Sequence, residues 1–154
     1  MSYAPTGVNM RAESFTVISD REILATLSDA IIEELKKDEV QWRMFRRQFS
    51  IINSIYKIPV YYDAPHVIFI SSPLNIIMGG FNMGNIITYG RIAAQSLGLG
   101  TCWNGWTHIA NDMNPKIRRV LKLKGPLLIA FLIGYPDVEF YRVPPRYEKK
   151  VKFI

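Results

Sequence analysis

The chain has 154 residues, the size of one domain, and 49% of them are hydrophobic, so a sizeable core can form and disorder is excluded. No apolar run reaches the ~18 residues of a membrane-spanning helix, the opening Met1 to Thr6 is no signal peptide, and one cysteine excludes an internal disulfide framework. The expectation is a soluble, cytoplasmic chain with no membrane partner, and the net charge of +6 favours anionic ligands.

That charge does not specify nucleic acid. The basic residues form small clusters at Arg43, Arg46 and Arg47, at Arg118, Arg119, Lys122 and Lys124, and at Lys149, Lys150 and Lys152, which read as solvated faces. Trp42, Phe45 and Phe49 lie in the same stretch as Arg43, Arg46 and Arg47, at helical spacing, and are expected to pack inward, which disfavours a nucleic-acid surface. No internal repeat occurs at periods of about 20–50 residues.

In chain order, Tyr3 to Asn9 reads as a loop, because Pro5 and Gly7 break regular structure. Phe15 to Ser19 is a short β-branched strand. Asp20 is the expected N-cap of a helix running to about Lys37, with Ile23, Leu24, Leu27, Ile31 and Leu35 as its apolar stripe. A second helix is expected from Val40 to Ile52, with Phe45, Phe49 and Ile52 inward. Pro59 to Pro65 reads as a loop, and His66 to Ser71 as a strand buried on both faces. Pro73 to Gly80 reads as a loop and Asn82 to Leu97 as a helix, whose Gly84 and Gly90 allow close helix approach. Pro115 suits the first turn of a helix carrying Ile117, Val120, Leu121 and Leu123. Leu127 to Ile133 is a further buried strand, and Tyr141 to Arg146 is an extended, proline-rich tail. Interleaved strands and helices argue for a single layered α/β or α+β domain over residues 1–154.

The segment Leu97-Gly98-Leu99-Gly100-Thr101-Cys102-Trp103-Asn104-Gly105-Trp106 stands apart. Glycines punctuate a helix end and a compact turn of Cys102, Trp103 and Asn104 follows. Glycine lets backbone approach a flat ligand, which the tryptophans and Asn104 could frame. Recognised catalytic constellations are missing. Two histidines and one cysteine make no zinc site, and Cys102 has no local base, so it reads as a small packed thiol. Chemistry would then come from a bound cofactor. Pro5, Thr6, Gly7 and Asn9 supply a tight polar loop, Cys102 to Gly105 supply backbone N–H groups and an aromatic face, and Arg142 and Arg146 supply guanidinium forks for a phosphate. An isoalloxazine with a phosphate tail matches that set, and any planar phosphorylated ligand matches it less well.

Several segments, in order, resemble the nitroreductase family of FMN-dependent oxidoreductases. Ala4-Pro5-Thr6-Gly7-Val8-Asn9 is similar to its A-P-[ST]-x-x-N loop, and Phe15 to Glu22 to its F-x-V-V-x-D-x-E segment. Asp63-Ala64-Pro65-His66-Val67-Ile68 resembles G-A-P-x-x-I, and Ala93 to Trp103 resembles A-A-x-x-L-G-L-G-T-C-W. Gly134-Tyr135-Pro136 and Pro145-Arg146 are similar to its closing elements. The resemblance implies an α+β layered fold, a mixed sheet flanked by helices, and an intertwined homodimer with FMN at the subunit interface. It implies that Pro5, Thr6, Gly7 and Asn9 touch the flavin from the partner subunit, that Cys102, Trp103, Asn104 and Gly105 line the ring, and that Arg142 or Arg146 holds the phosphate. NAD(P)H or a ferredoxin-like protein would donate electrons, and a quinone, nitroaromatic or similar small molecule would accept them, with no obligatory protein acid or base.

Two features depart from that pattern. Family members begin with an R-x-S-x-R helix that grips the FMN phosphate, whereas this sequence opens at the Ala4 to Asn9 loop. Two or three charge-assisted bonds of about 1.5–3 kcal/mol each are involved, so weaker FMN binding is expected. The family's Q-P-W is replaced by Arg11-Ala12-Glu13, which makes Arg11 a candidate phosphate or carbonyl contact. The competing expectation is a non-catalytic relative that has lost tight FMN binding.

Overall fold

A computed structural model describes residues 1–114, 117, 121, 123, 125, 127–138, 141, 142 and 145–152. The chain forms strands β1 (Ser14–Ile18), β2 (His66–Ser72), β3 (Gly100–Asn104) and β4 (Leu127–Gly134). Its helices are α1 (Arg21–Lys36), α2 (Glu39–Ile55), α3 (Ile76–Ser96) and α4 (Gly105–Met113). Each helix begins where the sequence supplies an acceptor for the orphan N–H groups of a first turn. Asp20 accepts from Glu22 and Ile23, Asp38 from Val40 and Gln41, and Asn75 from Met78.

The strands form one sheet in the order β1-β2-β4-β3. Every pairing is antiparallel, with Phe15 opposite Ile70, Phe69 opposite Ala130, and Cys102 opposite Leu132. The α+β layered class is as expected, but the mixed sheet is corrected to an antiparallel one among the described residues. β2 and β3 are joined across the single helix α3 and do run the same way. β4 lies between them and pairs antiparallel with both.

Each face of the sheet buries its own layer. Val67 and Phe69 of β2 and Leu128, Ala130 and Leu132 of β4 pack against Leu24, Leu27, Ile31 and Leu35 of α1 and Phe49 of α2. The opposite face packs Ile70, Ile129 and Phe131 against Met83, Ile86 and Ile87 of α3 and against Ala4. Fully burying each such side chain contributes about 1.5–3 kcal/mol. On the first face Trp42 stacks on Phe49 at 5.6 Å, and Trp106 packs on Phe49 at 4.5 Å and Phe45 at 4.7 Å. The inward aromatics of α2 are thereby confirmed.

Two local expectations change. Residues 76–80 are the first turns of α3 rather than loop, because the Asn75 cap outweighs the weak helix propensity of Gly79 and Gly80. The Cys102 to Asn104 segment is an edge strand rather than a turn, and it leads directly into α4, a helix the sequence reading did not anticipate. Within the chain, a side chain on Gly90 would meet Met1 and one on Gly84 would meet open space, which leaves close approach to a helix of a second copy as an expectation. The helix expected from Pro115 lies largely outside the described residues, although Ile117 and Leu121 join the core.

Candidate functional site

The glycine-rich segment divides into parts with different work. Gly98 has φ +72°, the left-handed conformation that ends a helix, and donates to the Gln95 carbonyl at 3.1 Å while Leu99 donates to Ala94 at 2.9 Å. This is a helix-terminating motif, so Gly98 serves the fold rather than a ligand. Gly100 opens β3. A side chain at Gly105, by contrast, would meet nothing within 4 Å. The backbone there borders open space at the first residue of α4, where a helix carries unpaired N–H groups.

Asn104 does not frame that space with its side chain. It is buried, and its Oδ1 accepts from the Thr107 N–H at 3.0 Å and the Thr107 hydroxyl at 2.8 Å. Its Nδ2 donates to the Val60 carbonyl. Asn104 therefore positions Gly105 by locking the β3–α4 junction to the Pro59–Tyr61 turn. Cys102 and Trp103 are exposed, as their place on an edge strand dictates, which corrects the packed-thiol reading of Cys102.

Two adjoining clefts flank this edge. One, of about 780 Å³, is lined by Ile55, Tyr56, Tyr62, Thr101, Cys102, Tyr135 and Pro136. The other, of about 270 Å³, is lined by Phe45, Tyr62, Cys102, Trp103, Gly105 and Trp106. Tyr62 belongs to both, and its hydroxyl accepts from the Trp106 indole N–H at 3.2 Å. Behind them Tyr61 is fully buried 3.4 Å from Thr107 Oγ1, and that burial pushes its phenol well above the ordinary range. Phe45, Tyr56, Tyr62 and Trp106 were not singled out as site residues. Their signal was aromatic density on either side of the Pro59 to Pro65 loop.

The other half of the expected site lies elsewhere. Pro5, Thr6, Gly7 and Asn9 sit against α3 beside β1, at the edge of the sheet opposite β3. The Gly7 N–H donates to Asn82 Oδ1 at 2.9 Å, and Asn85 Nδ2 donates to the Pro5 carbonyl at 3.2 Å. Asn82 Nδ2 also donates to Glu13 at 2.9 Å. These two asparagines were missed, though polar residues three apart on an apolar helix are a readable signal. Arg11 turns back on the loop, its Nε donating to Asn9 Oδ1 at 2.9 Å and its N–H to Thr6 Oγ1 at 3.2 Å. Val8, Asn9 and Arg11 all have positive φ, which is costly for a β-branched valine. Arg142 and Arg146 are exposed in the tail. Within one chain the predicted contributors are thus not brought together.

Each histidine ring has a hydrogen-bond partner within the fold. His66 Nδ1 lies 2.7 Å from Ser19 Oγ, and His108 Nδ1 lies 3.1 Å from the Leu128 carbonyl. Among the described residues no cluster of metal-ligating side chains occurs, and no helix is long and apolar enough to cross a membrane.

The model of the nitroreductase family matches residues 1–135. The chain belongs to that family. No curated protein sequence matches it, but solved structures do. A nitroreductase with bound FMN from Bacteroides fragilis shares 21% identity, with 99% of this chain and 81% of that one covered and a TM-score of 0.79. A nitroreductase with bound FMN from Desulfitobacterium hafniense shares 20% identity over 99% and 81% of the two chains, with a TM-score of 0.73. An FMN-dependent nitroreductase from Mycobacterium smegmatis in complex with NADPH shares 17% identity over 96% and 84%, with a TM-score of 0.61. At these identities the likeness establishes the nitroreductase fold.

Proposed function

We propose that this nitroreductase-family protein is an FMN-dependent oxidoreductase. Electrons would pass from NAD(P)H or a reduced protein, through flavin, to a quinone, nitroaromatic or similar small acceptor. The observation that carries the reading is the open backbone at Gly105, beside exposed Cys102 and Trp103. A Cβ would fill the space that a planar ring needs, and glycine keeps it clear. The residues present fit the group: aromatic faces for a ring, and helix-start N–H groups for its electron-rich edge.

When bound, FMN supplies the hydride and electron transfer that no side chain here can perform. The chain's own residues do the rest. Asn104 fixes the first turn of α4, so that the N–H groups of Gly105 and Trp106 would be held ready to donate to a bound ring without rearranging. Trp103, Tyr62 and Trp106 line the cleft and would shield a bound ring from water. Arg142, Arg146 and Arg11 are exposed cations that would be available to meet the phosphate.

The separation of the two half-sites supports a homodimer in which the Pro5 to Asn9 loop of one copy closes over the Cys102–Gly105 edge of the other. α3 has a face to pair: Ile77, Phe81 and Ile92 are each at least 64% exposed, on a helix already packed against the sheet by its other side. Such a stripe is costly to leave in water. The test is anaerobic NADH oxidation with added FMN and a quinone, alongside sedimentation. Steady turnover by a dimer is the expected result. FMN that is bound but never reduced or reoxidised would favour the non-catalytic alternative.

A further inference from the structure

The outer face of α2 is unlike the rest of the surface. Residues 40–62 carry Arg43, Arg46, Arg47 and Lys57 and no acidic residue. Among the described residues none of these four cations pairs with a carboxylate. Val40, Met44, Ile51 and Ile55 recur at helical spacing and are 64%, 63%, 55% and 65% exposed, forming a stripe along one side of the helix. Arg43 and Arg47 flank that stripe. Its far end is continuous with the candidate active-site cleft, because Ile55 also lines the 780 Å³ cavity that contains Thr101 and Cys102.

We propose that this face of α2 docks an acidic electron-carrier protein. The inference rests on the FMN reading above and names a donor for it. An apolar stripe rimmed by unpaired arginines suits a small interface of about 1,200 Å² or less, in which charge sets encounter and apolar contact sets residence. Continuity with the cleft favours a redox partner over other anions, since only a partner that must reach the flavin gains from docking at its mouth. Nucleic acid fits less well, because Trp42, Phe45 and Phe49 point into the core and leave no stacking platform on this face. An anionic membrane fits less well because the stripe carries no aromatic anchor. The electron balance is simple. Two reduced one-electron carriers are each oxidised once, and FMN takes up two electrons and one proton from solvent.

The test uses the full chain with FMN, a plant-type ferredoxin and a flavodoxin as acidic probes, and two charge-matched variants. One is Arg43→Glu with Arg47→Glu; the other is Lys149→Glu with Lys150→Glu in the tail. Binding is read at low salt by anisotropy of the labelled carrier, with and without FMN, and flavin reduction by anaerobic stopped flow. The α2 variant should lose about ten-fold or more in carrier binding and carrier-driven reduction, while FMN affinity and reduction by dithionite stay unchanged. The tail variant should match wild type, and raising salt to about 0.3 M should abolish the difference. Carrier binding without FMN retention would leave the docking surface standing and remove the flavin reading. Neither probe binding, equal loss in both variants, or α2-dependent capture of DNA or anionic vesicles in place of the carriers would overturn the proposal.

Discussion

Asn104 accepts the Thr107 N–H at 3.0 Å, and so makes the last residue of β3 the cap of α4. The same side chain donates to the Val60 carbonyl, so one buried amide holds the strand, the helix and the Pro59–Tyr61 turn together. Asn104→Ala should cost about 2–4 kcal/mol, from a lost cap and a carbonyl left buried without a donor. Asn104→Asp should recover part of this, since a carboxylate still caps but cannot donate to Val60. Urea unfolding of both variants measures the difference. Equal losses would show that the cap contributes nothing and that the Val60 contact carries the whole effect.

Gly98 holds a left-handed conformation with open space around its Cβ position, so conformation alone is at issue there. Gly98→Ala should destabilise by about 1–2 kcal/mol, and Gly98→Asn by less. Thermal unfolding should rank the three as Gly, Asn, Ala. FMN affinity should not change, because this glycine ends α3 and meets no ligand.

Asn82 ties the opening loop to α3 through Gly7 and to Glu13. Asn82→Leu should cost about 1–3 kcal/mol, from the half-buried Glu13 carboxylate and the Gly7 N–H each losing a partner. It should also make residues 1–13 more sensitive to limited proteolysis while the α1–α2 layer stays protected. If the loop closes the partner's flavin site, FMN affinity should fall as well.

Burial raises the Tyr61 phenol above its ordinary range, and the Thr107 contact opposes this only in part. The unfolded chain gives up that proton first, at about pH 10, so it binds fewer protons than the native state above that pH. Stability should therefore be unaffected below about pH 10 and fall above it, by up to ~1.4 kcal/mol per pH unit. Tyr61→Phe should be less stable near neutrality, through the lost hydroxyl contact, but should show a shallower alkaline slope. Denaturation midpoints between neutral and strongly alkaline pH test the sign.

Much of the architecture is written locally. Asp20, Asp38 and the apolar stripe of α1 mark helix starts and the buried face, because caps and periodicity act within a few residues. Residues 76–80 and 100–104 were misread for opposite reasons. A double glycine masked a capped helix start, and an edge strand beside glycines imitated a turn. That Cys102, Trp103 and Gly105 stand together in one distinctive segment was legible, whereas the exposed strand-to-helix junction they form and the inward turn of Asn104 were not. Its partners, Thr107 and Val60, meet only after β3, α4 and the Pro59–Tyr61 turn have packed. The Pro5 to Asn9 loop shows the same limit, since the asparagines that hold it lie more than 70 residues along the chain.

The central claim is that a planar flavin lies against the backbone at Gly105. Flavin-fluorescence titration of wild type and Gly105→Val tests it most directly, because the added side chain enters open space and leaves the fold intact. Saturable FMN binding by wild type, with affinity about ten-fold or more weaker in a variant of unchanged unfolding midpoint, is the predicted result. Equal FMN affinity in the two proteins, or no binding by either, would contradict it.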